Sequence, residues 1–93
     1  MARKNGLDFM RGFVLDYMNG GMDRMSFDLD FNHYLIKHYP AMERSNSGAA
    51  EAFAFYIAER GFDQALTLSD DEHMTLIRQQ WGDFCNALPG DEG

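Results

Sequence analysis

Cysteine, proline and basic residues are all scarce in this chain of 93 residues. A single cysteine, Cys85, cannot form a disulfide within the chain, and it is too few for a cysteine-rich zinc site. Eight basic residues against fifteen acidic ones give a net charge of -7, which disfavours a phosphate-binding surface. The longest apolar runs are only a few residues long, so we expect no membrane-spanning segment.

The residues that are abundant are those of a small folded domain. Hydrophobic residues make up 45% of the chain and charged residues 25%, which is close to the average soluble protein. The length predicts a single helical domain over residues 1–93, with frayed ends at residues 1–5 and 90–93. No apolar stretch of signal-peptide length follows the basic residues near the N-terminus, so we expect a cytoplasmic, reduced protein.

Apolar residues recur at helical spacing along most of the chain, and no pair of strands joined by a hairpin turn is visible. The sequence therefore predicts an all-α fold, a small bundle of four main helices. We place these helices at about residues 7–19, 26–39, 48–60 and 70–88, with a short extra turn at 63–66.

Local signals predict where the first two helices begin and end. Gly20 and Gly21 are expected to end the first helix, because glycine adopts the left-handed backbone of a helix C-terminus. Ser26 is the expected N-cap of the second helix. Pro40 disfavours a helical residue before it, so we expect the second helix to end near it and residues 40–47 to form a loop.

The third and fourth helices have their own end signals. Gly61 is expected to end the third helix in the left-handed conformation. Ser69 and Glu72 have the spacing of a capping box at the start of the fourth. The predicted apolar arc of this helix contains Met74, Ile77, Trp81, Phe84, Cys85 and Leu88. Trp81 is at the centre of this arc.

No residues have the spacing of a metal or cofactor site. Residues 28–32 match the first ligand positions of a calcium-binding EF-hand loop, but the sixth position is His33 instead of Gly and the twelfth is Tyr39 instead of Glu. His33 and His38 are five residues apart on one helix and point away from each other. We therefore expect no cofactor and no metal.

The sequence also shows no catalytic arrangement. Cys85 has no neighbouring base in the sequence and is expected to be a buried structural residue. A site assembled by the fold around His73 or Cys85 is left open. The basic residues are scattered, and the candidate recognition helix at 48–60 presents Glu51 and Glu59 outward, so we do not expect direct nucleic-acid binding.

Four apolar residues fall outside the predicted core faces: Leu29, Ile36, Phe55 and Leu76. Several such residues on one small domain indicate an association surface if they are contiguous. We therefore expect a non-enzymatic protein that acts through protein–protein association, with a homodimer favoured over a different protein partner.

The strongly acidic composition leaves an alternative function open. A net charge of -7 on a small scaffold would speed the encounter with a basic partner. This alternative is an acidic inhibitor, either a nucleic-acid mimic or a protein that neutralises a basic toxin or nuclease. The acidic residues are dispersed along the chain instead of forming one band, which weighs against it.

Overall fold

A computed structural model describes residues 6–88 of the protein, and these residues contain helices and no strand. The all-α prediction is therefore confirmed for this part of the chain. A π-helical segment, Phe53–Phe62, connects α3 to α4 without a break. The five α-helical elements are α1 (Gly6–Met18), α2 (Arg24–Ser45), α3 (Ser47–Ala52), α4 (Asp63–Ala65) and α5 (Asp70–Ala87).

The described helices correspond to the four predicted ones, counting α3, the π segment and α4 as one. They form two compact units, divided between Ser47 and Gly48. One unit contains α1 and α2, and the other contains the π segment, α4 and α5. The single domain over residues 1–93 stays a prediction, and the predicted frayed ends at 1–5 and 90–93 lie outside the described residues.

Aromatic rings hold α1 against α2. The ring of Phe27 on α2 stacks on both Tyr17 and Phe13 of α1, with centroid distances of 4.4 and 5.3 Å. Further along α2, Tyr34 meets Phe13 and Phe9 edge-on at 5.4 and 5.1 Å. Such aromatic pairs contribute about 0.5–1.5 kcal/mol each beyond the area they bury.

The end of α1 agrees with the sequence prediction. Gly20 has a φ of 87°, the left-handed conformation expected of a glycine that terminates a helix. The Gly20 N–H donates to the carbonyl of Tyr17 at 3.1 Å, and the Gly21 N–H donates to the carbonyl of Asp16 at 2.7 Å. These two bonds are the pair of a Schellman motif, so carbonyls at the end of α1 are satisfied.

The start of α2 differs from the prediction. The N-cap is Asp23 instead of Ser26, and the Asp23 carboxylate accepts a hydrogen bond of 2.8 Å from the Ser26 N–H. Bonds from the Ser26 backbone and side chain lower the pKa of Asp23. Asp and Ser cap helices about equally well, and here the earlier residue takes the role.

Pro40 does not end α2, which continues to Ser45, so the predicted loop over residues 40–47 is wrong. Proline lacks the N–H that would bond to the carbonyl of Ile36. Pro40 and Ile36 are both exposed, so water can reach that carbonyl. The continuation buries Met42 completely, and the Asn46 N–H then donates to the Met42 carbonyl at 2.9 Å.

Gly61 does not end the third helix, because it lies inside the π segment, and among the described residues only Gly20 has a positive φ. Its role is close approach: a Cβ at Gly61 would meet the Tyr56 carbonyl oxygen at 3.2 Å and Ile77 Cδ1 of α5 at 3.4 Å. The short turn expected at 63–66 is present as α4.

The π segment changes which side chains face inward. Nine residues of α-helix would turn Phe62 to the side opposite Phe53, since each residue rotates the helix by about 100°. A π-helix bonds from residue i to i+5 and turns more slowly. Phe53 and Phe62 are consequently both buried.

The buried face of α5 is rotated by roughly 60° from the predicted arc. Its buried residues are His73, Ile77, Gln80 and Phe84, whereas Trp81 is half-buried and Cys85 is exposed. The prediction of a central Trp81 and a buried Cys85 was therefore wrong. The close approach at Gly61 explains the rotation, because it brings Ile77 and Gln80 against the π segment.

This rotation predicts the relative cost of two truncations in α5. Phe84 is fully buried and meets Phe53 edge-on at 5.4 Å, so Phe84→Ala should lower the free energy of unfolding by about 3–5 kcal/mol. Trp81→Ala should cost at least about 1 kcal/mol less, because the Trp81 side chain is already partly in water. Urea titration measures both, and a larger loss for Trp81→Ala would contradict the observed orientation of α5.

The capping box of α5 is present as predicted from the sequence. Ser69 Oγ accepts from the Glu72 N–H at 3.3 Å, while Glu72 Oε1 accepts from the Ser69 N–H at 3.2 Å. Ser69→Ala should lower the free energy of unfolding by about 1 kcal/mol. Ser69→Ala combined with Glu72→Ala should cost less than the sum of the single changes, and additivity in the double-mutant cycle would argue against a reciprocal box.

Candidate functional site

Leu29 and Ile36 lie on one exposed line along α2. Their side chains are 72% and 69% exposed, and Met25, one turn before Leu29, is 71% exposed. At 100° per residue these three residues fall within about 40° of one another on α2, on the side opposite Phe27 and Phe31. We call Met25, Leu29 and Ile36 the α2 stripe.

Met25 was missed because the predicted helix began after it. With Ser26 as the predicted N-cap, Met25 lay outside the second helix, so its spacing of four residues to Leu29 could not be interpreted as a shared helix face. The true N-cap at Asp23 places Met25 in the first turn of α2. The spacing of four and then seven residues would have revealed the stripe if Asp23 had been recognised.

Phe55 and Leu76, the other two predicted interface residues, line a groove in the second unit. Phe55 is 45% exposed and Leu76 is half-buried. The guanidinium of Arg60 lies over the Phe55 ring at 5.6 Å, which is within cation–π range. This α5 groove has a volume of about 570 Å³ and is lined by Phe55, Arg60, Gln64, Leu76, Gln79 and Gln80.

Gln80 is the buried polar residue of the α5 groove. It is 4% exposed, and its Oε1 atom is buried without a hydrogen-bond partner. A buried acceptor without a donor costs about 1–3 kcal/mol. Gln80 could not be identified from the sequence, because a glutamine that follows Gln79 within a helix gives no signal of burial.

A second groove lies between α1 and α2, on a different side of α2 from the stripe. Its volume is about 600 Å³, and it combines aromatic rings with two carboxylates and two hydroxyls. We call it the α1–α2 groove, and its lining residues are Phe9, Gly12, Phe13, Asp16, Met22, Ser26, Asp30 and Tyr34. No basic residue lines it.

His73 and Cys85, the residues that the sequence left open for a site assembled by the fold, do not lie together. His73 is fully buried and Cys85 is exposed, and twelve residues of α5 separate them by about 18 Å along the helix axis. The EF-hand-like residues 28–32 lie inside α2, where no loop can wrap an ion. Within residues 6–88, no group of three or more His, Cys, Asp or Glu side chains is placed to hold a metal.

His38 belongs to the aromatic contacts of the first unit. Its ring stacks on Phe9 with a centroid distance of 4.4 Å. Burial lowers the pKa of His38, and the nearby Lys37 charge lowers it further. Packing between α1 and α2 therefore favours the neutral imidazole.

No protein-family model matches the chain, and neither the curated proteins nor the solved structures include one with significant similarity. None of the helices within the described range combines the length and the apolar character that crossing a bilayer would require.

The unpaired Gln80 acceptor leads to a prediction about stability. Gln80→Met keeps the length of the side chain and removes the buried oxygen, so it should raise the free energy of unfolding by about 1 kcal/mol. The matched control is Gln79→Met at the exposed neighbouring position, which should change it by less than about 0.5 kcal/mol. A loss of stability for Gln80→Met in urea titration would show that the Gln80 amide is satisfied in solution.

Proposed function

We propose that this chain is a small, acidic, non-enzymatic helical protein that acts through protein–protein association, with a second copy of itself bound at the α2 stripe. The observation that supports the proposal is the line of Met25, Leu29 and Ile36, each about 70% exposed on one side of a long helix. Scattered exposed apolar residues are ordinary in proteins, whereas three on one line form a surface.

The arrangement of the stripe suits an isologous pair. In an antiparallel pairing of two α2 helices about a two-fold axis, Met25 of one copy faces Ile36 of the second, and Leu29 faces Asn32. The same surface then serves both copies, as a two-fold dimer requires. Eleven residues separate the ends of the stripe, which gives a contact about 16 Å long.

The size of the stripe predicts a weak dimer. Burying an apolar side chain of this kind fully is worth about 1.5–3 kcal/mol, so six side chains that start about 70% exposed give roughly 6–13 kcal/mol. Association costs about 4–15 kcal/mol in lost freedom and ordering. The most favourable difference, about 8–9 kcal/mol, corresponds to a Kd near 1 μM, and a larger association cost gives a weaker dimer or none.

Salt separates this mode of association from an electrostatic one. Two copies that each carry a net charge of -7 repel one another, and salt screens that repulsion. Self-association through an apolar stripe should therefore strengthen as ionic strength rises. Binding to a basic partner should weaken under the same change.

The test is sedimentation equilibrium of the wild type and of Leu29→Glu, from about 10 μM to 1 mM. The wild type should self-associate reversibly, and Leu29→Glu should remain monomeric because a carboxylate at the contact would be buried without a partner. The melting temperature of the variant should stay near that of the wild type, since Leu29 is 72% exposed.

Leu66→Glu is the matched control. Leu66 is 48% exposed in the other unit, and this substitution adds the same single charge. It should leave the sedimentation profile unchanged. A wild type that is monomeric throughout the range would contradict the homodimer, and a large drop in melting temperature for Leu29→Glu would mean that the stripe packs within the chain.

A further inference from the structure

The α1–α2 groove has the composition of a site for a basic side chain. The Phe9, Phe13 and Tyr34 rings supply apolar walls, and Asp16 and Asp30 supply negative charge. The arginine and lysine side chains have the same division, with an apolar stem and a charged head. At about 600 Å³, the volume lies in the range of known ligand sites.

The two carboxylates approach the groove from different helices. Asp16 belongs to α1 and Asp30 to α2. Phe13, three residues before Asp16, contacts both Phe31 and Tyr34, which lie within one turn of Asp30. Asp16 and Asp30 are therefore at a similar height along the two helices, and both line the groove.

Both carboxylates are free to accept a cation. Within residues 6–88 the structure shows no ion pair at Asp16 or Asp30, and the guanidinium of Arg24 pairs instead with Asp28 at 3.2 Å. Lys37 follows Asp30 by seven residues, about 10 Å along α2, which is too far for a direct pair. The aromatic walls add the attraction of a ring face for a cation.

Gly12 leaves the α1 wall of the groove without a side chain. Glycine is among the poorest helix formers, yet Gly12 lies in the middle of α1. Its φ is not positive, and a Cβ built on it would have no atom within 4 Å, so neither the backbone nor the packing requires glycine there. A missing side chain at this position keeps the groove open to a ligand.

We propose that the α1–α2 groove binds an arginine or lysine side chain of a protein partner, with the head group between Asp16 and Asp30 and the stem along the aromatic walls. The occupant follows from charge complementarity, because the lining is acidic, lacks a basic residue and belongs to a chain of net charge -7. The proposal does not depend on the homodimer, since the α2 stripe is on another side of α2. It gives the acidic-inhibitor alternative a specific surface.

The probe is a blocked tetra-arginine peptide, titrated into the ¹⁵N-labelled protein at low salt. Chemical shift changes should cluster at the amides of Gly12, Asp16, Ser26 and Asp30, and a blocked tetra-glutamine peptide should cause none. Binding should weaken as salt is added. Shift changes spread evenly over acidic residues of both units would overturn the proposal, because they would reflect net charge alone.

Two variants test the charges against a matched control. Asp16→Asn combined with Asp30→Asn should weaken binding of the tetra-arginine peptide about tenfold, the effect of losing two charge pairs. Glu59→Gln combined with Asp63→Asn removes the same net charge from exposed positions in the other unit and should change the affinity less than about twofold. Equal losses in both double variants would overturn the assignment.

A third variant tests the shape of the groove without changing any charge. Gly12→Leu has room for its side chain and should fill the groove, so binding should weaken by about fivefold or more while helicity is kept or increased. Gly82→Leu is the control, because Gly82 of α5 is equally open and lies outside the groove. Unchanged peptide affinity in folded Gly12→Leu would contradict the assignment to this groove. A free arginine ester that binds as tightly as the peptide would contradict a site for the side chain of a protein partner.

Discussion

The stacking of Phe27 between α1 residues is the contact on which both candidate surfaces depend. Phe27 lies on Tyr17 and Phe13, and this fixes the side of α2 that faces α1. Once that side is fixed, helical geometry turns Leu29 and Ile36 to the opposite side. The same contact sets the distance between α1 and α2, and the α1–α2 groove lies along one side of their interface. A rotation of α2 by a half turn would bury the stripe and turn Asp30 and Tyr34 away from the groove.

The helix ends that could be predicted from sequence are those decided by neighbouring residues. Ser69 and Glu72 satisfy each other's backbone groups within one turn, and Gly20 provides a backbone conformation that other residues avoid. Neither depends on what packs against the helix. This is why the start of α5 and the end of α1 agree with expectation, whereas ends decided by distant contacts do not.

The errors have a common physical cause, which is packing that overrides local preference. α2 runs past Pro40 because Met42 gains complete burial beyond it. The π segment and the rotation of α5 both accompany the close approach at Gly61. The local sequence does not distinguish a glycine that ends a helix from one that allows a neighbouring helix to pack closely. The exposure of Leu29 and Ile36 could be predicted from periodicity, whereas the grooves arise only where helices meet.

The only tryptophan and the only cysteine of the chain lie one turn apart on α5. Trp81 is half-buried and Cys85 is exposed, with a rise of about 6 Å between them. A small quencher attached to the Cys85 sulfur would therefore be held beside the indole while this turn is wound, and unwinding would change the quenching. The fluorescence of Trp81 would then report the local unwinding of α5 by itself, separately from the loss of structure in the unit formed by α1 and α2.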